Sequence, residues 1–296
     1  MATARERWLS QPAIRALEAD FQRYAQGEQL GARGALAALF EDSEAALRLA
    51  ERFFTSGMTA LAAHPLGEIA HRHASSAGFA RLQLMHARDA ALSLCVYEPK
   101  GEPLEESCPV AVTFADCESI ECVIAGVASG WHHCLRDGTA PGILSRPVTW
   151  QAGDTIQCQP QNETRQIVRV SQSLLVLQLT RTPARPAPTL ERRTADGAVL
   201  RAVSGDKRAS QQVMALAVLG ALGQREAIAD MARFALAREN DPEARWEAVR
   251  QVAALDTAAA LQLTGRIDQD DPLAIAASDL SVRIAALLAE HAREEA

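Results

Sequence analysis

The chain has 296 residues, 48% of them hydrophobic and 23% charged; this composition excludes global disorder, and the length points to one large domain or two to three smaller ones. A formal net charge of −7 excludes a non-specific binder of phosphate backbones, which needs a basic surface to release counterions, so no nucleic-acid partner is expected. The start of the chain is charged and lacks an apolar core of signal-peptide length, and no segment approaches an unbroken bilayer span, so a cytoplasmic protein with no membrane partner is expected.

Residues 11–63 carry helical spacing. Ile14, Leu17, Phe21 and Tyr24 recur at steps of three and four, Leu36, Leu39 and Phe40 repeat the pattern, and Ala46, Leu49, Ala50 and Phe53 continue it. Gly27, Gly31 and Gly34 punctuate the break after the first stretch, and Asp42-Ser43, with Glu44 following, marks a helix start. Residues 1–65 therefore read as a helical cap.

From Phe79 the apolar period falls to two. Candidate strands cover 80–86, 90–97, 109–115, 120–126, 131–135, 148–151, 155–159, 167–170 and 174–179, with Gly, Pro and Asp in the intervals. Short, evenly spaced strands of this kind build an antiparallel double-sheet jelly roll or barrel, placed at 66–182. Pro183, Pro186 and Pro188 then bar a central strand, so 183–208 reads as a linker and extended segment. Residues 209–296 form a helical, Ala- and Leu-rich domain. Within it the stretch from Asp241, with Pro242 near the first helical position, resembles the first helix of a HEAT-type repeat, and Asp271-Pro272 opens a second segment in the same way. Stacked pairs of this kind imply a protein partner bound through the C-terminal helices, or a compact bundle that packs or dimerises. The fold class is thus α+β: a barrel between an N-terminal helical cap and a C-terminal α-helical domain.

The six cysteines, Cys95, Cys108, Cys117, Cys122, Cys134 and Cys158, all fall in the strand region. In a reducing compartment they are not a disulfide framework, and the five-residue step from Cys117 to Cys122 puts those thiols on opposite faces of a regular strand. G-x-S-x-G, P-loop, H-E-x-x-H and Rossmann patterns are all missing, so the major hydrolase, nucleotide and zinc-protease signatures are excluded. His133 and Cys134 are adjacent and face opposite ways. Asp116 and Glu118 share a face if extended, where paired carboxylates could divide acid and base roles; a solvated turn is the plainer reading. No catalytic residue is identified.

The stretch 110–181 resembles a cupin barrel. Gly153, followed by six residues, leads to Pro160, with Asn162 where the second cupin motif has Gly and Arg165 where it has its metal-binding His. Counting back from Gly126, the first motif would place its histidines at Thr113 and Ala115 and its Glu at Ser119. None of the four expected ligands is present, and a guanidinium has no lone pair to donate. The resemblance therefore implies a metal-free binding or regulatory barrel without cofactor. Arg165, pointing toward the former metal position, would anchor a small anionic ligand. The alternative is a metal-dependent oxygenase or isomerase holding iron or another divalent transition metal with displaced ligands: His71 and His73, which share a face in a regular strand, joined by His86, His132 or His133. The resemblance also implies a homodimer, since cupin barrels commonly pair through their sheets.

Overall fold

In the computed structural model, which describes residues 4–31, 34–63, 71–99, 107–136 and 142–294, the helical spacing becomes four helices: α1 (Ala4–Leu9), α2 (Pro12–Ala25), α3 (Ala35–Glu41) and α4 (Ser43–Ala63). The residues marked by periodicity are the buried ones, Ile14, Leu17, Phe21 and Tyr24 on α2, Leu36, Leu39 and Phe40 on α3, and Ala46, Leu49, Ala50 and Phe53 on α4. Pro12 opens α2, where an N–H would lack a helical partner anyway. The Asp42 carboxylate accepts from the Glu44 N–H at 2.9 Å and so starts α4. The boundary expected at 65–66 lies outside the described residues.

Among the described residues the strands are β1 (His73–Ser76), β2 (Phe79–Ala87), β3 (Ala90–Tyr97), β4 (Ala111–Phe114), β5 (Glu118–Leu135), β6 (Ile143–Gln151), β7 (Thr155–Cys158), β8 (Glu163–Arg181), β9 (Thr189–Arg193) and β10 (Val199–Val203). They form two antiparallel sheets. One runs β1-β2-β3-β8-β5-β6 with β7 also on β5, and the other runs β10-β9-β4. Among the described residues no ladder joins β1 to β6, so hydrogen bonding does not close the larger sheet on itself.

Two strands are longer than the alternation suggests: 120–126 and 131–135 belong to the single strand β5, and 167–170 and 174–179 to β8. The pairing of β5 with β8 shifts register at several points between Val123 and Gly130. Each bulge puts the apolar pattern out of phase without ending the ladder, so a sequence reader sees a gap. Gly126 makes one of these kinks, at φ +90, where a Cβ would stand 2.8 Å from the Leu174 Cα. The bend lets one edge of β5 serve two partners in line: Ser119 to Cys122 face β7, and Val127 to Leu135 face β6.

The 183–208 stretch is extended but not free. It carries β9, which pairs with β4, and β10, which pairs with β9. Val112 and Phe114 of this small sheet bury with Ile143 and Leu135 at the far end of the β5–β6 pair.

The larger sheet has two unlike faces. Leu92 and Leu94 on β3, Ile120, Cys122 and Ile124 on β5, and Leu177 and Leu179 on β8 pack beneath the helices in one core. Each such fully buried aliphatic side chain contributes about 1.5–3 kcal/mol. The intervening residues Cys95, Val123, Leu174 and Val176 turn to the opposite face, where they cluster with Ala128, Trp150 and Ile156. Thr155 Oγ1, donating to the Phe40 carbonyl at 2.7 Å, and Arg181 Nη1, donating to the Tyr24 and Glu28 carbonyls at 2.7 Å each, pin the helices to the sheet.

The chain divides into two compact units, Met1–Gly205 and Asp206–Ala296. The second contains α5 (Lys207–Ala221), α6 (Ile228–Leu236), α7 (Pro242–Leu255), α8 (Thr257–Thr264) and α9 (Ala274–Glu294) around Leu216, Met231, Ala235, Val249, Val252 and Leu263. Asp241 caps α7 as its Asp-Pro spacing implies, accepting from the Glu243 and Ala244 N–H groups. Asp271 differs: α9 starts three residues later, and the Asp271 carboxylate instead takes the Leu273 N–H and the buried Arg245 guanidinium, 2.7 Å away. The two Asp-Pro pairs therefore do unlike work, one starting a helix and the other holding a side chain.

Candidate functional site

The sheet face turned away from the helices carries a polar row across four strands. Gln83 on β2 lies opposite Ser93 on β3, Ser93 opposite Gln178 on β8, and Gln178 opposite Glu121 on β5. Cross-strand partners project from the same face, so these side chains stand side by side. Ser93 and Glu121 are buried, and a buried carboxylate must be paired.

Arg165, 44 residues along the chain, supplies that partner. Its Nε and Nη2 both reach Glu121 Oε2, and Gln178 Nε2 donates to Glu121 Oε1 at 2.7 Å. Nη2 also approaches the Tyr97 hydroxyl at 3.4 Å, and the guanidinium lies 5.7 Å from the Tyr97 ring centre and 5.9 Å from that of Trp150. Burial alone would lower the guanidinium's pKa; the Glu121 carboxylate and Tyr97 outweigh it, and the net direction is upward. Burial likewise raises the Tyr97 hydroxyl, with Arg165 opposing. Two thiols border the cluster. Cys95 donates to Gln178 Oε1 at 3.8 Å and is pushed up to about 12 by burial and by Glu121; Cys158 is pushed up to about 11 by the same two causes. Both stay protonated at neutral pH and are poor nucleophiles.

Arg165 sits within β8, opposite His132. The first-motif positions differ from expectation. Thr113 and Ala115 are exposed, Thr113 on the small sheet, because β4 leaves the larger sheet, and only Ser119 lies on β5. The inward carboxylate is Glu121, two residues further on, and sequence reasoning missed it along with Gln178 and Tyr97. A signal was present: Glu121 is the one charge between Ile120 and the apolar run Cys122-Val123-Ile124.

The histidines weighed as displaced ligands are not brought together. β1 starts only at His73, so His71 does not share its strand face; it packs edge-on against Phe53 and Trp8, at ring-centre distances of 4.8 and 6.5 Å. His73 is exposed, with Nδ1 3.4 Å from the His71 carbonyl oxygen. His86 on β2 is exposed, and His132 lies on β5, three strand spacings or roughly 14 Å away across the sheet. His133 faces the other way, fully buried, with Nδ1 2.8 Å from Ser145 Oγ; burial, with His132 beside it, lowers its pKa to about 4. Asp116 and Glu118 also separate, Asp116 accepting the Ala187 N–H at 2.8 Å and Glu118 pairing with Arg181 at 2.7 Å. All six cysteines are free thiols.

On this face the Arg165 guanidinium has no lone pair to donate and the Glu121 oxygens accept from Arg165 and Gln178. Among the described residues no group of three or more His, Cys, Asp or Glu side chains is placed to hold an ion. Two clefts, of about 520 and 200 Å³, lie elsewhere and are lined by neither Arg165 nor Glu121. No helix among the described residues is long and apolar enough to cross a membrane.

No family model and no curated protein matches the chain. Solved structures do. An RmlC-like cupin from Shewanella frigidimarina is 15% identical, covering 39% of this chain and 86% of that one at a TM-score of 0.25. KdgF from Halomonas sp. is 11% identical, covering 39% and 89% at 0.25. A single-substitution variant of oxalate decarboxylase from B. subtilis is 12% identical, covering 39% and 28% at 0.27.

Proposed function

We propose that the sheet-bearing unit is a cupin-like jelly-roll barrel turned into a metal-free binding or regulatory module, with the Arg165–Glu121 ion pair standing where such a barrel keeps its metal. The observation that carries this reading is the double occupancy of Glu121, by Arg165 on one oxygen and Gln178 on the other. The residue at the motif's ligand position is thereby spent on a side-chain pair, and the carboxylate that might have served a metal is spent with it. Arg165 is the anchor for a small anionic ligand in this reading. A carboxylate or phosphate would compete with Glu121 for the guanidinium and could offer it two oxygens, where Glu121 gives it only Oε2.

The C-terminal helices are assigned to protein contact, in the manner of a short HEAT-like array. Met214, Val218 and Leu222, four residues apart along α5 and its C-cap, are 66%, 52% and 67% exposed and form an uncovered apolar stripe. A homodimer is the assembly we assign. Light scattering should then give the mass of two 31.8 kDa chains, and a single-chain mass at all concentrations would remove the dimer from the proposal.

Elemental analysis of purified full-length protein tests the module against the metal-dependent oxygenase or isomerase. The expected result is well below one transition ion per chain, unchanged in His71→Ala/His73→Ala. A stoichiometric ion lost with those substitutions would establish the enzyme reading instead.

A further inference from the structure

We infer that the helical cap carries a second small-molecule site, separate from the Arg165 face: a cleft between α1 and α4 that takes a small hydroxylated oxyanion, its carboxylate or phosphoryl group held by Arg7 and Arg52. The cleft measures about 520 Å³ and is lined by Arg7, Gln11, Glu51, Arg52, Thr55, Ser56, Thr59 and Ala60. That volume is in the range of small-ligand pockets.

Arg7, Glu51, Arg52, Thr55 and Thr59 are exposed, and their order along the helices is what distinguishes the cleft. Arg52, Thr55, Ser56 and Thr59 are spaced at three, four and seven residues along α4, so one face of that helix presents a guanidinium followed by a ladder of hydroxyls. Arg7 comes from α1, across the cleft, and Gln11 from the N-cap position of α2. The Gln11 side chain makes no cap bond and keeps its amide for another partner. Thr59 Oγ1 gives its proton to the Thr55 carbonyl at 2.8 Å, leaving its lone pairs to accept.

The charges select the ligand. Elsewhere on the cap Arg23 is paired with Asp20, and Arg48 with Asp42 and Glu44. Arg7 and Arg52 have no ion pair among the described residues, yet both line the same concavity. Two like charges on one cleft are relieved by an anion, and a guanidinium offers paired donors to a carboxylate or phosphate. Glu51 adds one negative charge to the same lining. It repels a second anionic group and favours a hydrogen-bond donor on the ligand, which is why the ligand must carry a hydroxyl beside its oxyanion.

Calorimetric titration of the full-length chain at constant ionic strength tests the site with three probes: glycerate, its deoxy analogue propionate, and glycerol 3-phosphate. Saturable binding of one glycerate or one glycerol 3-phosphate per chain is expected, weakened at least about tenfold in Arg7→Gln/Arg52→Gln, as loss of charge-assisted hydrogen bonds predicts. The probe that binds identifies carboxylate or phosphoryl as the group held. Arg48→Gln, on the same helix outside the cleft, should bind like the parent and controls for folding and bulk charge. Glycerate should bind more tightly than propionate in the parent, and Glu51→Gln should erase that preference. Absence of saturable heat with all probes, equal affinity in Arg7→Gln/Arg52→Gln, or loss of binding in Arg165→Gln instead, would each overturn the proposal.

Discussion

Two buried arginine–carboxylate pairs, one in each unit, look alike and work differently. Arg245 and Asp271 are 2% and 3% exposed, and both also bond backbone: Arg245 Nε donates to the Ala235 carbonyl at 2.7 Å, and Asp271 accepts the Leu273 N–H at 2.9 Å. That pair satisfies chain ends that α6 and α9 cannot satisfy themselves. Arg165 and Glu121, 11% and 6% exposed, bond side chains that stand on strands whose backbone the β5–β8 ladder already satisfies. The fold needs the first pair to finish its helices; it has no such need of the second. Burial of an ion pair is therefore weak evidence of role by itself, and the identity of the remaining partners is what separates a staple from a site.

The largest test of that contrast is a pair of mutant cycles in chemical denaturation. Arg165→Met and Arg245→Met should each cost about 3–5 kcal/mol, because each takes the main cation from a buried carboxylate, Asp271 keeping only Arg238 Nε at 3.5 Å. Arg165→Met/Glu121→Leu should recover to within about 1 kcal/mol of the parent, with half-buried Gln178 free to turn to water. Arg245→Met/Asp271→Leu should stay about 2–3 kcal/mol below it, since the Ala235 carbonyl and Leu273 N–H lose their partners. Equal recovery in both doubles would erase the distinction. Next in size, Gly126→Ala should cost about 3 kcal/mol, from a left-handed backbone and contact with Leu174, and should open the β5–β8 bend in amide exchange.

The helical cap was legible in the sequence because its periodicity is local: each stripe on α2, α3 and α4 can be counted within one helix. The sheet was legible only in part. Its alternation is broken at Gly126 and around Gln172 by bulges that exist only with respect to a partner strand, so the sequence pattern shows two strands where β5 and β8 are each one. The small sheet escaped for a related reason: β9 follows three prolines and finds β4 about 80 residues upstream, and β10 then pairs with β9. At the site, Arg165 could be picked out from motif spacing, while Glu121 and Gln178 could not be paired with it, since nothing local links positions 44 and 13 residues from it.

A smaller effect comes from His133. At pH 7.5 the His133 imidazole is neutral in folded and unfolded chains alike. As pH falls through 6.5 the unfolded chain takes the proton first, and stability is lost progressively until the folded value near 4 is reached. The loss should be on the order of 2 kcal/mol between pH 7 and 4, and His133→Gln should flatten that part of the thermal-stability profile. An unchanged slope would mean that other groups set it. Smallest of all, a brief iodoacetamide pulse should label exposed Cys108 first and leave buried Cys95 and Cys122 unmodified, which peptide mass mapping can read.

Anomalous diffraction from crystals grown with excess iron or zinc asks the central question directly. The account expects no peak within about 2.5 Å of the Glu121 carboxylate, with Arg165 and Gln178 still on its two oxygens. An ion bound to Glu121 with the Arg165 side chain swung away would contradict it.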